Sequence, residues 1–140
     1  MGQQQLLLLV LGIVIVGLAV VVGLETFGRS QKSANADALV NDAVRIAADV
    51  QRWSIMPALL GGGGDAFTGV SFDKLAYPTG GDLAGADEYQ NPTAVYALTV
   101  DGPQQVTLVG CNDDLGNSVT TIISGITPDD ISTDVSTEGC

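Results

Sequence analysis

Side chains that commonly carry out catalysis are poorly represented in this chain. It contains no histidine among its 140 residues, which removes Ser-His-Asp and Cys-His catalysis. Its 16 acidic residues supply many carboxylates, but no spacing singles out a pair for acid–base work. The sequence also has no dinucleotide fingerprint and no cluster of metal-ligand residues. We therefore expect a protein that is not an enzyme and that uses no cofactor and no metal.

Two cysteines, Cys111 and Cys140, lie in the polar half of the chain. An even number of cysteines behind an export-like N-terminus favours one disulfide. This bond would close a loop of about 30 residues and stabilise the fold by about 3–4 kcal/mol in the chain-entropy model. The alternatives are two free thiols or a metal-binding pair, and two cysteines without a histidine make a poor zinc site.

Two loop sequences resemble ligand-binding motifs only superficially. Gly61–Gly64 is a run of four glycines, but no Lys-Ser or Lys-Thr follows it and a helical pattern precedes it, so a hinge or close-packed turn is favoured over a phosphate loop. The segment NDDLGN, Asn112–Asn117, offers oxygens to calcium. It lacks the alternate spacing and the distal glutamate of an EF-hand, which favours a solvated acidic turn.

Charge is distributed unevenly along the chain. All five basic residues precede position 75, whereas the segment from Leu75 to Cys140 has ten acidic residues and no basic one. So acidic a surface repels phosphate groups. We therefore expect no binding of nucleic acid by the C-terminal half.

The most unusual segment is the apolar run from Leu6 to Leu24, in which nineteen residues pass without a charge. As a helix it would be about 28 Å long, enough to cross the hydrocarbon core of a bilayer. Lipid provides no partners for backbone polar groups, so the run must be helical there. Its large aliphatic residues are Leu6, Leu7, Leu8, Leu9, Val10, Leu11, Ile13, Val14, Ile15, Val16, Leu18, Val20, Val21, Val22 and Leu24.

Two ordinary explanations fit this run poorly. A cleavable signal peptide has a basic N-terminal region, a shorter apolar stretch and a small-residue cleavage site, none of which is present. A simple anchor conflicts with the positive-inside rule, because Arg29 and Lys32 follow the run. That rule would place the acidic domain and its disulfide in the cytoplasm.

The helical pattern continues beyond the apolar run with an amphipathic segment. Apolar residues recur at spacings of three and four and form one stripe, which we expect to pack on the rest of the chain. On the opposite side, Asp42, Arg45, Asp49 and Arg52 predict a solvated ladder of weak ion pairs. Pro57 ends the pattern, so one helix of about 80 Å is predicted from residue 3 to residue 55. The stripe comprises Ala36, Leu39, Ala43, Ile46, Val50 and Trp53.

The remaining residues predict a small β-rich domain. The segments 93–100 and 105–111 flank a turn and form the clearest hairpin, and 118–126 predicts a third strand. Residues 66–72 alternate like a strand or an extended loop. Thr127 before a proline and two acids predicts one capped helical turn. We expect a three- or four-stranded antiparallel sheet packed on the helical stripe, which is an α+β fold.

This layout resembles the type IV pilin and pilin-like superfamily. The similarity lies in a short polar N-terminus, an apolar half-helix at 3–24, an amphipathic half-helix at 25–57 and a globular head at 58–140. A C-terminal disulfide loop is also common in that superfamily. The resemblance implies a major filament subunit that resides in the inner membrane before assembly and then polymerises with copies of itself. It further implies a prepilin peptidase and an assembly machine as partners, and a cell-surface filament that acts in adhesion, motility, DNA uptake or cell contact.

The N-terminal residues leave the processing site of such a pilin open. A mature chain beginning at Met1 has Gln5 at the fifth position, where pilins usually carry glutamate. Cleavage after Gly2 would start the chain at Gln3 and place Leu7 fifth. The alternative to a major pilin is a minor pseudopilin, or a single-pass anchored protein that displays an acidic binding head.

Overall fold

The computed structural model describes residues 1–79 and 87–140 as an α+β fold with a long N-terminal helix and an antiparallel sheet. Helix α1 covers Gly2–Ile55, so its end agrees with the predicted one. The chain forms two compact units, Met1–Ala34 and Asn35–Cys140. The amphipathic residues of α1 after Ala34 therefore belong to the same unit as the sheet.

Helix α1 ends where Pro57 begins a tightly folded loop. A short 3-10 turn, Ala58–Leu60, leads into the four glycines, and Gly61 and Gly64 adopt positive φ. A Cβ on Gly63 would lie 2.0 Å from the Ala66 carbonyl oxygen, so only glycine fits there. The glycine run is the close-packed turn that the sequence favoured.

Five strands form one antiparallel sheet in the order β1-β2-β3-β4-β5, each strand pairing with the next along the chain. Within β2 the register shifts between Val100 and Gly102, just before the tight turn into β3. The strands are β1 Glu88–Gln90, β2 Val95–Gly102, β3 Gln105–Asn112, β4 Asn117–Ile123 and β5 Ile131–Ser136.

The predicted hairpin and third strand are confirmed as β2, β3 and β4, but the predicted strand count is too low. Strand β1 has only three residues, and β5 is a polar edge strand whose sequence lacks a strong apolar alternation. The segment 66–72 is a loop, in which Phe67 and Phe72 are buried without strand pairing. Sheet pairing, which depends on partners distant in sequence, therefore decided both edges of the sheet.

A small capped turn separates β4 from β5. Thr127 precedes the 3-10 turn Pro128–Asp130, as predicted. The backbone N–H and the hydroxyl of Thr127 both donate to Oδ2 of Asp130, at 2.9 and 2.6 Å. Both hydrogen bonds lower the pKa of Asp130, and the bond from the Thr127 hydroxyl has the larger effect. This local turn reverses the chain for β5.

The core lies between the second half of α1 and the inner sheet face. Strand residues alternate between this buried face and an exposed one, as the period of two requires. The core is closed on one side by an aromatic group in which the Tyr77 and Tyr89 rings are 4.8 Å apart. The buried apolar residues are Leu39, Ala43, Ile46, Ala47, Val50, Trp53, Phe67, Val70, Phe72, Ala94, Tyr96, Leu98, Val106, Leu108, Val119 and Ile123.

Candidate assembly surface

The unit Met1–Ala34 presents a continuous apolar surface. All fifteen large aliphatic side chains between Leu6 and Leu24 are exposed, with exposed fractions between 50% and 69%. By length and composition the helix is able to cross a membrane. Apolar area of this extent in water is strongly unfavourable, since each exposed leucine or valine forgoes about 1.5–3 kcal/mol of burial. The surface therefore requires an apolar environment, either lipid or other protein helices.

The four residues considered for processing lie at the beginning of this surface. Gly2 is the first residue of α1, and Gln3 and Gln5 are exposed within its first turns, while Met1 precedes the helix. Gln5 lies one residue before the aliphatic run, so its amide is the last polar group before Leu6. These positions are compatible with either start of the mature chain.

In the unit Asn35–Cys140, the apolar stripe of the helix is buried from Leu39 to Trp53, and Ala36 is half-buried. Leu39, Ala43, Ile46 and Val50 are almost completely buried, and Trp53 is 5% exposed. The Trp53 indole N–H donates to the Gly61 carbonyl oxygen at 3.0 Å, which ties the helix to its following loop. This unit therefore has a hydrophobic core of its own, although Leu59 and Leu60 in the loop after α1 stay exposed.

The predicted ladder of solvated ion pairs on the helix is confirmed for one pair and wrong for the other two. Among the described residues, only Asp49 and Arg52 form an ion pair in that series, with 3.2 Å between carboxylate and guanidinium. Asp42 and Asp49 are half-buried, and both accept hydrogen bonds from residues outside the helix. The helical spacing correctly places these residues on one side, but the polar residues that fold onto them are distant in sequence.

Asp42 connects the helix to strand β2 and to the loop that precedes it. Its Oδ2 accepts hydrogen bonds from Asn91 Nδ2 at 2.9 Å and from the Tyr96 hydroxyl at 3.4 Å. Burial of the phenol, together with the Asp42 charge, raises the pKa of Tyr96. The Tyr96 hydroxyl is therefore neutral and able to donate at any physiological pH.

Asp49, about two helical turns after Asp42, makes an equivalent contact. The Tyr77 hydroxyl donates to its Oδ2 at 2.6 Å. Burial and this hydrogen bond raise the pKa of Tyr77. The Arg45 guanidinium lies 5.9 Å from the Tyr77 ring centroid, and interaction with the Tyr77 hydroxyl raises the pKa of Arg45. Arg45 thus pairs with an aromatic ring rather than with the neighbouring carboxylates.

Two side-chain amides, buried Gln51 and half-buried Asn35, add further polar contacts of the helix. Gln51 Nε2 donates to the carbonyl oxygens of Gly125 and Thr127, both at 2.8 Å. Asn35 Nδ2 donates to the Thr93 carbonyl oxygen, and Asn35 Oδ1 accepts from Asn117 Nδ2 at 2.9 Å. The only sequence signal for Gln51 is its position directly after the stripe residue Val50, which is too weak to assign it a partner.

The predicted disulfide between Cys111 and Cys140 is present. It joins strand β3 to the last residue, and the chain before it is held by a hydrogen bond from Gly139 N–H to the Gly116 carbonyl oxygen. The Ser118 hydroxyl also donates to the Gly139 carbonyl oxygen at 3.1 Å. The C-terminal segment is therefore fastened across the β3–β4 end of the sheet.

The acidic turn 112–117 is held by its own hydrogen bonds. Asn112 Oδ1 accepts from the Leu115 N–H at 3.0 Å, and Asn112 Nδ2 donates to the Thr93 carbonyl oxygen. These bonds use the asparagine oxygen inside the turn, which favours a solvated turn over a calcium loop. Asp113 lies close to both cysteine sulfurs, but sulfurs in a disulfide are not thiolate ligands.

A shallow cleft of about 630 Å³ lies beside this turn. It is lined by the segment 90–95 and by residues 111–114. The Asn91 side-chain oxygen there accepts from the backbone N–H groups of Thr93 and Ala94, both at 2.9 Å. Its polar groups thus mainly stabilise the loop between β1 and β2.

Comparison with known proteins found no match to this chain. No protein-family description, no curated protein sequence and no solved structure matches the chain. The pilin resemblance therefore depends on the chain's own features. These are a long apolar N-terminal helix and a small antiparallel sheet, an arrangement consistent with a pilin-like fold.

Proposed function

We propose that this protein is the major subunit of an extracellular, type IV pilus-like helical filament. One observation carries the proposal: the aliphatic residues between Leu6 and Leu24 are exposed, while Asn35–Cys140 has a core of its own. A head with its own core and an apolar helix that needs partners are the two parts of a polymerising subunit. Contacts of helix with helix among copies would bury the aliphatic surface permanently.

Residence in the inner membrane would precede assembly. The same helix is long and apolar enough to cross a bilayer, which gives the subunit a reservoir before polymerisation. A prepilin peptidase and an assembly machine would process the N-terminus and extract the helix. This route also resolves the conflict with the positive-inside rule, because a dedicated export system places the acidic head outside.

The alternative is a minor pseudopilin or a single-pass anchored protein that displays an acidic head. The length and composition of the helix favour this alternative equally, because a permanent anchor has the same requirements. The two functions differ in the final environment of the apolar helix. It lies against lipid in an anchored protein and against sister helices in a filament.

The test is to shear surface filaments from cells that make the native chain and to examine them by electron microscopy. Mass spectrometry of the filament protein would identify the chain and its mature N-terminus. We expect the full chain as the principal component of helical filaments. Recovery of the protein only as small particles in the membrane fraction would contradict the proposal and support the anchored alternative.

A substitution in the apolar run provides a matched comparison. Val14→Asp places a charge within the aliphatic surface, whereas Val44→Asp places the same charge at an exposed position on the amphipathic part of the helix. We expect Val14→Asp to abolish filaments and Val44→Asp to retain them. Equal filament yields from both variants would show that the aliphatic surface is not the polymerisation surface.

A further inference from the structure

The disulfide between Cys111 and Cys140 lies at the surface of the head, where small solutes can reach it. Cys140 is exposed and Cys111 is half-buried. Reduction of the bond would leave the C-terminal segment held by hydrogen bonds such as those of Gly139 with Gly116 and Ser118. The reactivity of the two sulfurs toward reductants therefore decides how durably the C-terminus is fastened.

A carboxylate lies directly against this disulfide. Oδ1 of Asp113 is 3.2 Å from Sγ of Cys111. A carboxylate oxygen of Asp113 and the sulfurs of both cysteines all lie within 4.8 Å of one another. A sulfur in a disulfide has no proton, so the contact is not a hydrogen bond. The exposed Asp113 side chain therefore places a negative charge beside both sulfurs.

The turn after β3 holds Asp113 in this place. Asn112 Oδ1 accepts from the Leu115 N–H at 3.0 Å, and the Asn112 carbonyl oxygen accepts from the Gly116 N–H at 2.8 Å. Gly116 has a φ of 64°, which lets the chain reverse there without a steric cost. The backbone on both sides of Asp113 is therefore fixed, which keeps its short side chain beside the disulfide.

The other surroundings of the bond have the same electrostatic sign. Asp114 and Glu138 each lie within three positions of a cysteine, and no basic residue follows position 74 in the sequence. Sγ of Cys140 lies 3.5 Å from the Asn117 carbonyl oxygen. Each sulfur of the bond thus faces an oxygen that carries a full or a partial negative charge.

Reduction of a disulfide begins with attack by a thiolate on one of its sulfurs. A new S–S bond forms between the reductant and that sulfur, and the electron pair of the Cys111–Cys140 bond leaves with the other sulfur as a thiolate. A second reductant thiolate then displaces the first cysteine. Two reductant thiols are thereby oxidised to their own disulfide, and their protons pass through water to the two cysteine thiolates. Negative charge therefore approaches one cysteine sulfur while it develops on the other.

We propose that Asp113 makes this disulfide selective among reductants, so that it resists anionic thiolates but reacts with thiolates that carry a compensating positive charge. The carboxylate repels an incoming anion at either sulfur and disfavours a departing thiolate on Cys111. Because the three groups are exposed or half-buried, water and salt weaken this repulsion, and we expect an effect of about three- to tenfold on the rate of reduction. The inference concerns the head alone and does not depend on the proposed filament function.

Reduction of the full chain in a non-ionic detergent by two different thiols tests the selectivity. The thiolate of glutathione has a net negative charge, whereas that of cysteamine is balanced by its own ammonium group. Freed cysteines are trapped with a maleimide at successive times and counted by mass spectrometry. Asp113→Asn should raise the rate with glutathione by about three- to tenfold and change the rate with cysteamine little.

Asp114→Asn is the matched control for this variant. It removes the same charge from an exposed position of the same turn, whereas the short contact with Cys111 belongs to Asp113. We expect Asp114→Asn to change the ratio of the two rates much less than Asp113→Asn does. Circular dichroism of both variants checks that the head is folded.

Ionic strength gives a second measurement that needs only the native chain. Between about 0.01 M and about 1 M salt the Debye length falls from about 30 Å to about 3 Å, which screens repulsion between exposed charges. Reduction by glutathione should therefore become faster relative to reduction by cysteamine. The ratio of the two rates should approach that of Asp113→Asn.

Each other result overturns the proposal. Equal acceleration of both reductants by Asp113→Asn would mean that Asp113 only holds the turn, and equal effects of Asp113→Asn and Asp114→Asn would assign the selectivity to the general acidity of the head. Unchanged rates in Asp113→Asn would show that the contact has no effect on reduction. If Asp113→Asn does not fold, a rate ratio of the native chain that is independent of salt overturns the proposal. All of these results leave the filament function as it stands.

Discussion

Tyr77 and Asp49 are joined by a hydrogen bond of 2.6 Å from the phenol hydroxyl to Oδ2 of the carboxylate. Tyr77 lies in the long segment between α1 and β1, and Asp49 lies on α1. The bond therefore fastens that segment to the helix. The carboxylate and the burial of the phenol both disfavour the tyrosinate. The bond therefore makes the stability of the head sensitive to alkaline pH.

The stability of the head should fall in alkali because the pKa of Tyr77 is raised in the folded state. Unfolded tyrosine ionises near pH 10, about where the extra stability begins to be lost as pH rises. We expect the free energy of unfolding to be constant from about pH 7 to about pH 9 and to decrease above about pH 10. Trp53 fluorescence during urea unfolding of the full chain in detergent provides the measurement.

Tyr77→Phe is the matched variant for this effect. It should lower the free energy of unfolding at neutral pH by about 1 kcal/mol, because the Asp49 carboxylate loses a donor. It should also make the decrease above about pH 10 shallower. An unchanged alkaline slope in the variant would mean that Tyr77 is not a source of the pH dependence, leaving Tyr96 as the remaining described tyrosine whose pKa is raised.

Gln51→Ala should destabilise the head through two carbonyl groups. The Gln51 amide donates to the oxygens of Gly125 and Thr127, and its removal leaves both without this donor. We expect the free energy of unfolding to decrease by about 1–3 kcal/mol. Asn41→Ala is the control, since the Asn41 amide donates to the Asp37 carbonyl oxygen on the exposed side of the same helix. Equal effects of the two substitutions would contradict the role assigned to Gln51.

Removal of the disulfide by Cys111→Ser with Cys140→Ser should lower stability substantially. The bond spans a sequence separation of 29 residues, for which the chain-entropy model gives about 3–4 kcal/mol. Urea unfolding with and without a reductant measures this difference. The serine variant is insensitive to the reductant and serves as its own control. A loss below about 1 kcal/mol would mean that the fastening of the C-terminus is not an important source of stability.

Gly110→Ala should destabilise the sheet by crowding the core. A Cβ at position 110 would lie 2.5 Å from the Tyr96 ring and 2.8 Å from a methyl carbon of Val119, its partners on the adjacent strands. We expect a decrease of about 1–3 kcal/mol in the free energy of unfolding. Gly102→Ala is the matched control, because its Cβ would meet nothing within 4 Å. A neutral effect at position 110 would show that the Tyr96 ring moves aside without cost.

The elements with strong periodicity could be predicted from the sequence. Spacings of three and four between Leu39 and Trp53 predicted the buried helical stripe, and all of its large members are in the core. Pro57 predicted that the helix ends at residue 55, and the observed helix ends at Ile55. The β2–β3 hairpin followed from two alternating segments that flank a short turn, and the disulfide from two cysteines in a polar region. All of these signals are local.

The polar contacts of the helix could not be predicted in the same way. The sequence spacing of Asp42, Asp49 and Arg45 matches a ladder of ion pairs. In the structure Asp42 instead accepts hydrogen bonds from Asn91 and Tyr96, and Asp49 accepts one from Tyr77. Strand β5 was missed because three of its six residues face solvent and its apolar members are only partly buried. An edge strand of this kind is stabilised by its neighbour rather than by its own composition.

The chain's own sequence determined that an aliphatic helix precedes an amphipathic one, since helical periodicity and the absence of charge are written in consecutive residues. Only the tertiary structure decided which acids are partly buried and which loop exposes Leu59. Those features depend on residues far apart in sequence whose contacts compete for the same hydrogen-bonding and apolar partners. Local spacing fixes the direction of a side chain, and packing decides what it meets.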